Sequence, residues 1–344
     1  MGGNVMIMAG LKIAKGSKKS WDFYAGETAA GKVLVPLTVV EGSNDGPVLA
    51  VLAGCHPGEY NGVASSVRLA KEIDPKQLSG TLLISHVQNI MGFQSKTGHI
   101  SPLDGINMFR AYPTSLTDTD EGGLVSHQGK SLTYQIAERL FTEVICPSNY
   151  FIDLHGGEFH ETLPPNIEII ITGDEEVDSR SRFLAEAFGF DLVWEVPRGG
   201  IPEMPGYPGN GSAHIEAPKR GIPSVLCEVG GEGKLEEHLV DLTYRGLINV
   251  MTNLDMLPGK KTSVKPRVLV GGHVLFAKRG GLVFSQTKAG DQVSKGQQLG
   301  HTIDLSGEIV ETFVSPSNGI LMNVVTIGAT NPGDMRYVIG NLVD

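Results

Sequence analysis

The chain has 344 residues, of which 40% are hydrophobic and 19% are charged, and its formal net charge at pH 7 is −10. This composition is typical of a globular protein, and the acidic balance argues against nucleic acid or an acidic membrane surface as a partner. No apolar run approaches the roughly 20 residues that a membrane-spanning helix needs, and the first residues lack the charged start and apolar core of a secretory signal.

The first part of the chain leads to a conspicuous motif. Residues 1–40 are predicted to form an N-terminal β extension, in which Pro36 restricts the clearest strand to a sheet edge or a bulge. A short apolar run over residues 48–53 then predicts a strand buried on both faces. It ends in the sequence GCHPGEYNG at residues 54–62, after which apolar residues recur at helical spacing. The motif therefore lies where a buried strand turns into a helix, and sites in open α/β sheets form at such positions.

His56 and Glu59 in this motif can converge on one cation, because imidazole nitrogens and carboxylate oxygens are good zinc donors. The pair alone is a weak signal, and a loop histidine beside a solvated acid is the simpler interpretation. A second apolar strand, residues 151–155, ends in His155 and supplies a third donor. Two histidines and one carboxylate are typical of catalytic zinc. Asp153 is either a partner that orients an imidazole or an ordinary strand-end acid.

The remainder of residues 1–260 alternates strands with helices. Strands are predicted at residues 81–87, 168–172, 192–196 and 224–230, long helices at 131–145, 175–188 and 234–257, and a short helix at 212–217. Residues 89–113 contain no clear element, and loops of this length are usually functional or disordered. The alternation predicts an α/β fold with a mixed, largely parallel sheet that carries helices on both faces.

Glu228 lies near the end of the apolar strand 224–230. Burial of an acid there costs free energy unless the acid is paired or functional, so Glu228 is a candidate, with a structural role equally open. Cys55 and Cys227 adjoin candidate residues, but neighbouring strand residues point to opposite faces, so both are interpreted as small buried side chains. Three cysteines in all indicate reduced thiols in a cytoplasmic protein.

Residues 261–344 change character, because helical periodicity disappears and short β runs alternate with turns. They predict a small C-terminal all-β domain. The pattern resembles the flattened β-barrel of biotinyl and lipoyl carrier domains, but the hairpin at residues 304–308 has no Met-Lys pair for a carrier cofactor.

Three motifs in this order, HPGEYNG at residues 56–62, DLHG at 153–156 and CEVG at 227–230, resemble the succinylglutamate desuccinylase/aspartoacylase family of zinc amidohydrolases. The resemblance covers roughly residues 30–344 and implies a zinc carboxypeptidase-like fold. It implies one Zn²⁺ per chain on His56, Glu59 and His155, with Glu228 as general base. It also implies hydrolysis of the amide of an N-acyl amino acid or a related small acyl-amine. The C-terminal β domain would limit access to the site or, alternatively, serve to form a homo-oligomer.

The resemblance also implies substrate-binding residues in the segment 89–113. Arg110 matches the arginine of a family Leu-Asn-Arg motif, where its guanidinium would hold a carboxylate; Asn107 and His99 are the other candidates. Phe109 replaces the usual asparagine before that arginine, and His99 stands where the family has a further arginine. Both departures favour a less acidic acyl-amino compound over a dianionic one, or an electrophilic role for His99. Without the resemblance, Arg110 and His99 read as ordinary loop residues.

Two other classes of function stay open at this point. One is a metallocarboxypeptidase that acts on short peptides, and the other is a non-catalytic binding protein with the same fold. A comparison of peptide and N-acyl amino acid substrates distinguishes the first, and the zinc content distinguishes the second.

Overall fold

The structure is a computed structural model that describes residues 5–8, 11–113, 131–201 and 209–343. The sequence also predicts a loop rich in Gly and Pro at residues 197–210, and residues 202–208 of this loop lie outside the described residues. The strands are β1 (Val5–Met8), β2 (Leu11–Ala14), β3 (Ser17–Thr28), β4 (Gly31–Glu41), β5 (Asn44–Ala53), β6 (Ser79–Ser85), β7 (Tyr150–His155), β8 (Glu161–Ile171), β9 (Leu192–Pro197), β10 (Ser224–Gly231), β11 (Arg267–Phe276), β12 (Gly281–Ser285), β13 (Gln292–Val293), β14 (Gln298–Ile303), β15 (Ile309–Val314), β16 (Gly319–Val325), β17 (Ala329–Thr330) and β18 (Met335–Leu342).

The helices are fewer and lie in the first 260 residues of the described chain. They are α1 (Tyr60–Glu72), α2 (Ile90–Ser95), α3 (Leu132–Leu140), α4 (Glu175–Phe188), α5 (Ala213–Glu216) and α6 (Glu237–Asn253), with a π-helical turn at Phe141–Ile145 and 3₁₀ turns at Met108–Arg110 and Pro218–Arg220. Among the described helices, none combines the length and the hydropathy of a membrane-spanning segment.

Most of the strands join one twelve-stranded sheet, in the order β13-β16-β18-β11-β9-β8-β10-β7-β5-β6-β4-β3. Within it β6, β5, β7 and β10 are parallel to one another, and β8, β9 and β11 are parallel to one another in the opposite direction. The strands at both ends pair antiparallel. The sheet is therefore mixed, as predicted, but it is not largely parallel.

The C-terminal strands are divided between the large sheet and a smaller sheet of their own. Although each described element after Asn253 is a strand, β11, β13, β16 and β18 continue the large sheet, and only β12, β14, β15 and β17 form a separate four-stranded sheet. β16 also pairs with β8. A domain boundary near residue 260 stays a prediction.

Helices cover both faces of the central sheet. Alternate residues of β5 show this, because Leu49 and Val51 pack in a core with α1, α4 and α6, whereas Ala50 and Leu52 pack in a second core with α3 and α5. The same alternation holds in β7, β8, β9 and β10. The residues of these strands that do not belong to the first core face the side of the sheet on which α3 lies. These residues, which include His155 and Glu228, form the floor of the site.

Two local predictions need correction. The segment 89–113 contains the short helix α2 and a 3₁₀ turn, although no element was expected there. β4 is an interior strand, between β3 and β6, although Pro36 predicted a sheet edge or a bulge. The regular register with β6 begins at Leu37, and His86, which follows β6, donates its N–H to the carbonyl of Pro36, so proline is tolerated where that pairing ends.

Candidate metal centre and cavity

Three neighbouring strands bring the motifs together. Ala53, the last residue of β5, pairs with Leu154 of β7, and His155 pairs with Glu228 of β10. The motif loop leaves β5 and reaches α1 at Tyr60. Gly58 in this loop donates its N–H to Oε1 of Glu158 at 3.0 Å, and a Cβ at Gly58 would collide with that carboxylate. A side chain at Gly58 would therefore displace the Glu158 carboxylate from its contact with this loop.

The donor atoms of His56, Glu59 and His155 lie within 4.8 Å of one another, and all three side chains are buried. Nδ1 of His56 lies 2.8 Å from Oε1 of Glu59, and Nδ1 of His155 lies 3.0 Å from Oε2. The second contact lacks the alignment of a hydrogen bond, so Oε2 is buried without such a partner among the described residues. A divalent cation between these donors would satisfy that oxygen, and two imidazoles with one carboxylate are a donor set that fits zinc.

The charges of the cluster are strongly coupled. Burial opposes ionisation of Glu59, but the positive charges of His56 and His155 prevail and lower the pKa of its carboxyl to about 2. Burial also disfavours the charged form of His155, but the negative charges of Glu59 and Asp153 raise the pKa of its imidazole well above the usual range. Cation binding would displace the proton from this imidazole.

A buried chain of polar side chains supports His155 from behind. The hydroxyl of Tyr112 donates to Oε1 of Gln88, and Nε2 of Gln88 donates to Oδ1 of Asp153 at 3.2 Å. Oδ2 of Asp153 lies 3.4 Å from Nε2 of His155. The contact lacks the alignment of a hydrogen bond, but as a buried ion-pair contact it favours the interpretation of Asp153 as the partner of this imidazole. No local motif in the sequence identifies Gln88 or Tyr112.

Glu228 lies beside the cluster in a cavity of about 620 Å³. Its Oε2 is buried and makes no hydrogen bond to a described residue. Burial raises the pKa of its carboxyl well above the usual range, and the negative charge of Glu59 adds to this. A carboxyl in this position can take up and release a proton.

The proposed substrate-binding residues line the same cavity. Oδ1 of Asn107 lies 3.2 Å from Nε2 of His56 and accepts the N–H of Phe109. The ring of His99 lies 4.6 Å from that of His56, and its backbone has a φ of 34°, a left-handed value that is uncommon outside glycine. The guanidinium of Arg110 lies 5.3 Å from the ring centre of Phe109.

His99 has an acidic partner that the sequence did not reveal. Its Nε2 lies 3.6 Å from Oε1 of Glu161, and Nδ2 of Asn323 donates to Oε2 of the same carboxylate at 2.8 Å. Burial disfavours a charged His99, but Glu161 raises the pKa of the imidazole above its usual value. Because Asn323 belongs to β16, a C-terminal strand contacts the carboxylate that lies beside His99 in the cavity.

Phe109 is one of the two departures from the family pattern. Its aromatic ring lies among the imidazole rings of three histidines. Its ring centre lies 5.3 Å from those of His56 and His155 and stacks on His214 at 5.4 Å. Nε2 of His214 in turn lies 3.1 Å from Oε1 of Glu168. Both members of this buried pair lie outside the predicted site residues, because no short motif marks them.

The far side of the cavity is largely apolar. It is formed by β9, β10 and the C-terminal strands, through Trp194, Leu226, Val274, Phe276, Met322, Met335 and Val338. Arg336 also lines it, but its Nη2 donates to the backbone carbonyls of Val325 and Ile327.

The sequence model of the succinylglutamate desuccinylase/aspartoacylase catalytic domain matches residues 45–254, which include the metal cluster and Glu228. The chain belongs to this family. A curated relative, the N-α-acetyl-L-2,4-diaminobutyric acid deacetylase of Halomonas elongata, is 24% identical over 329 residues, which are 92% of this chain and 89% of the relative.

Solved structures of the family share the fold. A succinylglutamate desuccinylase/aspartoacylase from Rhodobacter sphaeroides has a TM-score of 0.81 at 21% identity, with 95% of this chain and 96% of that one covered. The product-bound ectoine utilization protein EutE (DoeB) from Ruegeria pomeroyi has a TM-score of 0.80 at 21% identity, with 94% and 95% covered. The likeness extends over the C-terminal strands, which the family model does not include.

Proposed function

We propose that this family member is a zinc-dependent amidohydrolase that removes the acyl group of an N-acyl amino acid, with one zinc ion per chain. The observation that carries the proposal is the convergence of His56, Glu59 and His155 beside Glu228 at one cavity. The family match and the activity named for the Halomonas relative support the same reaction.

Each residue would have a distinct role. His56, Glu59 and His155 would hold a zinc ion, which when bound would supply a water of lowered pKa, about 7, and Lewis-acid polarisation of the amide carbonyl. Glu228 takes the proton of the attacking water and transfers it to the amine nitrogen as the C–N bond breaks. The products are a carboxylic acid and a free amine, and the proton that leaves the water ends on the amine.

The other candidate residues would bind the substrate. His99 donates to the negative charge that develops on the amide oxygen. Asn107 positions the substrate, and the guanidinium of Arg110 binds its carboxylate.

We infer further that an N-acyl diamino acid is a better substrate than a dianionic one. The name of the Halomonas relative specifies a diamino acid. The cavity of this chain is lined by the carboxylates of Glu161 and Glu168 in addition to Glu59, and these repel a second negative charge while they attract an ammonium group.

An activity screen tests the proposal. The purified protein is assayed for amine release from N-acetyl, N-succinyl and N-formyl amino acids, including diamino acids, with and without a chelator. We expect chelator-sensitive hydrolysis that returns when zinc is added back, and one zinc per chain by metal analysis. Hydrolysis of short peptides alone would indicate a metallocarboxypeptidase, and a zinc-loaded protein that hydrolyses neither class would be a binding protein.

A further inference from the structure

A buried carboxylate lies in the floor of the cavity, away from the proposed metal centre. Glu168 on β8 lines the cavity, yet the residue as a whole is only 2% exposed. Nε2 of His214, which is also 2% exposed, lies 3.1 Å from Oε1 of Glu168. A buried acid costs free energy unless it is compensated, so a carboxylate in this position requires a structural or a functional reason.

The strand register fixes the distance between Glu168 and the reaction centre. Glu228 pairs with Asn166, and Leu226 pairs with Glu168. Glu168 therefore lies two strand positions from the row that contains Glu228, which corresponds to roughly 7 Å along the strands. Side chains two residues apart share a face. A small molecule whose amide is beside Glu228 can thus reach Glu168 with a second group on a short chain.

The other cavity carboxylates beyond the metal ligands already have roles. Glu228 is the proposed base. Glu161 accepts from Asn323 and faces His99. Asp334 is exposed and accepts the N–H of Asn331. Glu168 differs from these carboxylates. It takes no part in the proposed reaction, and it is not the residue that contacts Asn323 of the C-terminal strands.

We propose that Glu168, oriented by His214, is the specificity-determining residue that accepts a hydrogen bond from a second, protonated amine of the substrate. The inference rests on the proposed function and extends it to one side chain. An ammonium group gains a charge-assisted hydrogen bond to a buried carboxylate. An analogue without that amine does not gain this bond, and sites built for a polar group reject analogues that lack it.

Phe109 provides a reason why the cation is confined to this subsite. Its ring stacks on His214 and also contacts His155, so it separates the Glu168–His214 pair from the metal ligands. The substrate amine is thereby kept from competing with the metal cation for Glu59.

A pair of substrates that differ by one amine tests the inference. N-α-acetyl-2,4-diaminobutyrate and N-acetyl-2-aminobutyrate have the same carbon skeleton. We expect the wild-type protein to favour the diamino compound by about 100-fold or more in kcat/KM. In Glu168→Gln, kcat/KM for the diamino compound should fall by about 10–100-fold, mainly through KM, whereas kcat/KM for the monoamine should change by less than about 3-fold.

Controls separate this effect from misfolding and from a general loss of negative charge. Glu308→Gln removes an exposed acid from a distant C-terminal turn and should leave the preference unchanged. Melting temperature and zinc content check that Glu168→Gln is folded. Calorimetric titration with free 2,4-diaminobutyrate and 2-aminobutyrate should show the same loss of preference without turnover.

The outcomes distinguish this inference from the proposed function. If both compounds are hydrolysed without preference, or if Glu168→Gln lowers both kcat/KM values equally, the subsite is not at Glu168 although the amidohydrolase proposal stands. If the wild-type protein hydrolyses no N-acyl amino acid, the proposed function fails and the assignment of Glu168 fails with it.

Discussion

Glu59 is an acid whose burial and ionisation are both explained by its neighbours. Its carboxyl is buried, yet its pKa is held at about 2 by two imidazoles. It precedes the first turn of α1 but makes no side-chain hydrogen bond to that turn. Its charge is therefore committed to the two histidines and not to the helix, which is the arrangement expected of a metal ligand.

Replacing Glu59 by glutamine keeps the side-chain volume and removes the charge. We expect the dissociation constant for zinc to rise by more than about 100-fold, because the loss of an outer partner of a metal ligand alone costs 10–100-fold. A competition titration against a chromophoric chelator measures the constant. Glu27→Gln, at an exposed acid on β3, is the matched control and should bind zinc like the wild type. Unchanged zinc affinity in Glu59→Gln would remove Glu59 from the ligand set.

Glu228→Gln separates metal binding from catalysis. We expect zinc content and KM to stay close to wild type, while kcat falls by about 10²–10⁴-fold, because an amide side chain cannot accept the proton of the attacking water. Steady-state kinetics on the best substrate of the screen, with metal analysis of the same sample, gives both values. Glu232→Gln, at an exposed acid four residues further on, should leave kcat unchanged. Near-normal turnover in Glu228→Gln would require a different base.

The sequence identifies the residues that local motifs mark and misses those that only the fold brings near. His56, His155 and Glu228 are recognisable because each lies at or near the end of an apolar strand. Glu168 and His214 have no such signal. Glu168 reaches the cavity because β8 pairs with β10, and His214 contacts Glu168 because α5 packs against the same face of the sheet.

At the scale of the elements, β8 shows why the sheet is not largely parallel, as the sequence predicted. Only residues 156–160 connect β7 to β8. Parallel strands require a crossover of a dozen or more residues, so β8 has to run opposite to β7. The absence of a helical pattern between His155 and Glu161 was the available signal. The reversal matters for function because it places Asn166 beside Glu228 and Glu168 beside Leu226.

His86 connects strands β4 and β6 with helix α1. It follows β6, its Nε2 lies 2.9 Å from the hydroxyl of Thr38 on β4, and its Nδ1 lies 3.1 Å from the hydroxyl of Ser66 on α1. Burial lowers the pKa of the imidazole to about 4. The neutral ring therefore holds the three elements together.

This contact makes stability depend on pH in a defined direction. The pKa of His86 is lower in the folded state than the value of about 6.5 in the unfolded chain, so the unfolded chain binds the proton more readily. The stabilisation is fully present above pH ~6.5 and is lost as the pH falls toward 4, by roughly 3 kcal/mol. His86→Asn should lower the unfolding free energy at pH 7.5 and lack this part of the pH dependence.

Urea unfolding of the chelator-treated protein at pH 7.5, 5.5 and 4.5 measures the effect. His238→Asn, at an exposed histidine of α6, should retain the wild-type pH dependence. If wild type and His86→Asn lose stability in parallel between pH 6.5 and 4, His86 does not cause the dependence.

At the scale of the whole molecule, the C-terminal strands complete the cavity and do not merely lie beside it. β16 pairs with the start of β8 through Val324 and Val325, and Met322 and Val338 contribute to the cavity wall. These contacts depend on pairing between strands more than 150 positions apart, which the local β pattern of residues 261–344 does not encode.

Asn323→Leu tests whether this connection supports catalysis. The change removes the donor that lies 2.8 Å from Oε2 of Glu161 and leaves a buried carboxylate oxygen without it, which should lower the unfolding free energy by about 1–3 kcal/mol. Because Glu161 also faces His99, we expect kcat/KM to fall by about 10-fold or more. Zinc affinity should stay unchanged, because Asn323 has no hydrogen bond to the metal cluster.

The matched control is Asn318→Leu in the same C-terminal segment. Asn318 is exposed and accepts the N–H of Lys295, away from the cavity, so this variant should lose at most a little stability and keep its kcat/KM. Denaturant unfolding, zinc titration and steady-state kinetics on both variants separate the possibilities. A fall in kcat/KM that is equally large in Asn318→Leu would mean that any damage to the C-terminal strands lowers activity. A fall confined to Asn323→Leu would show that the C-terminal strands support the active site through the contact between Asn323 and Glu161.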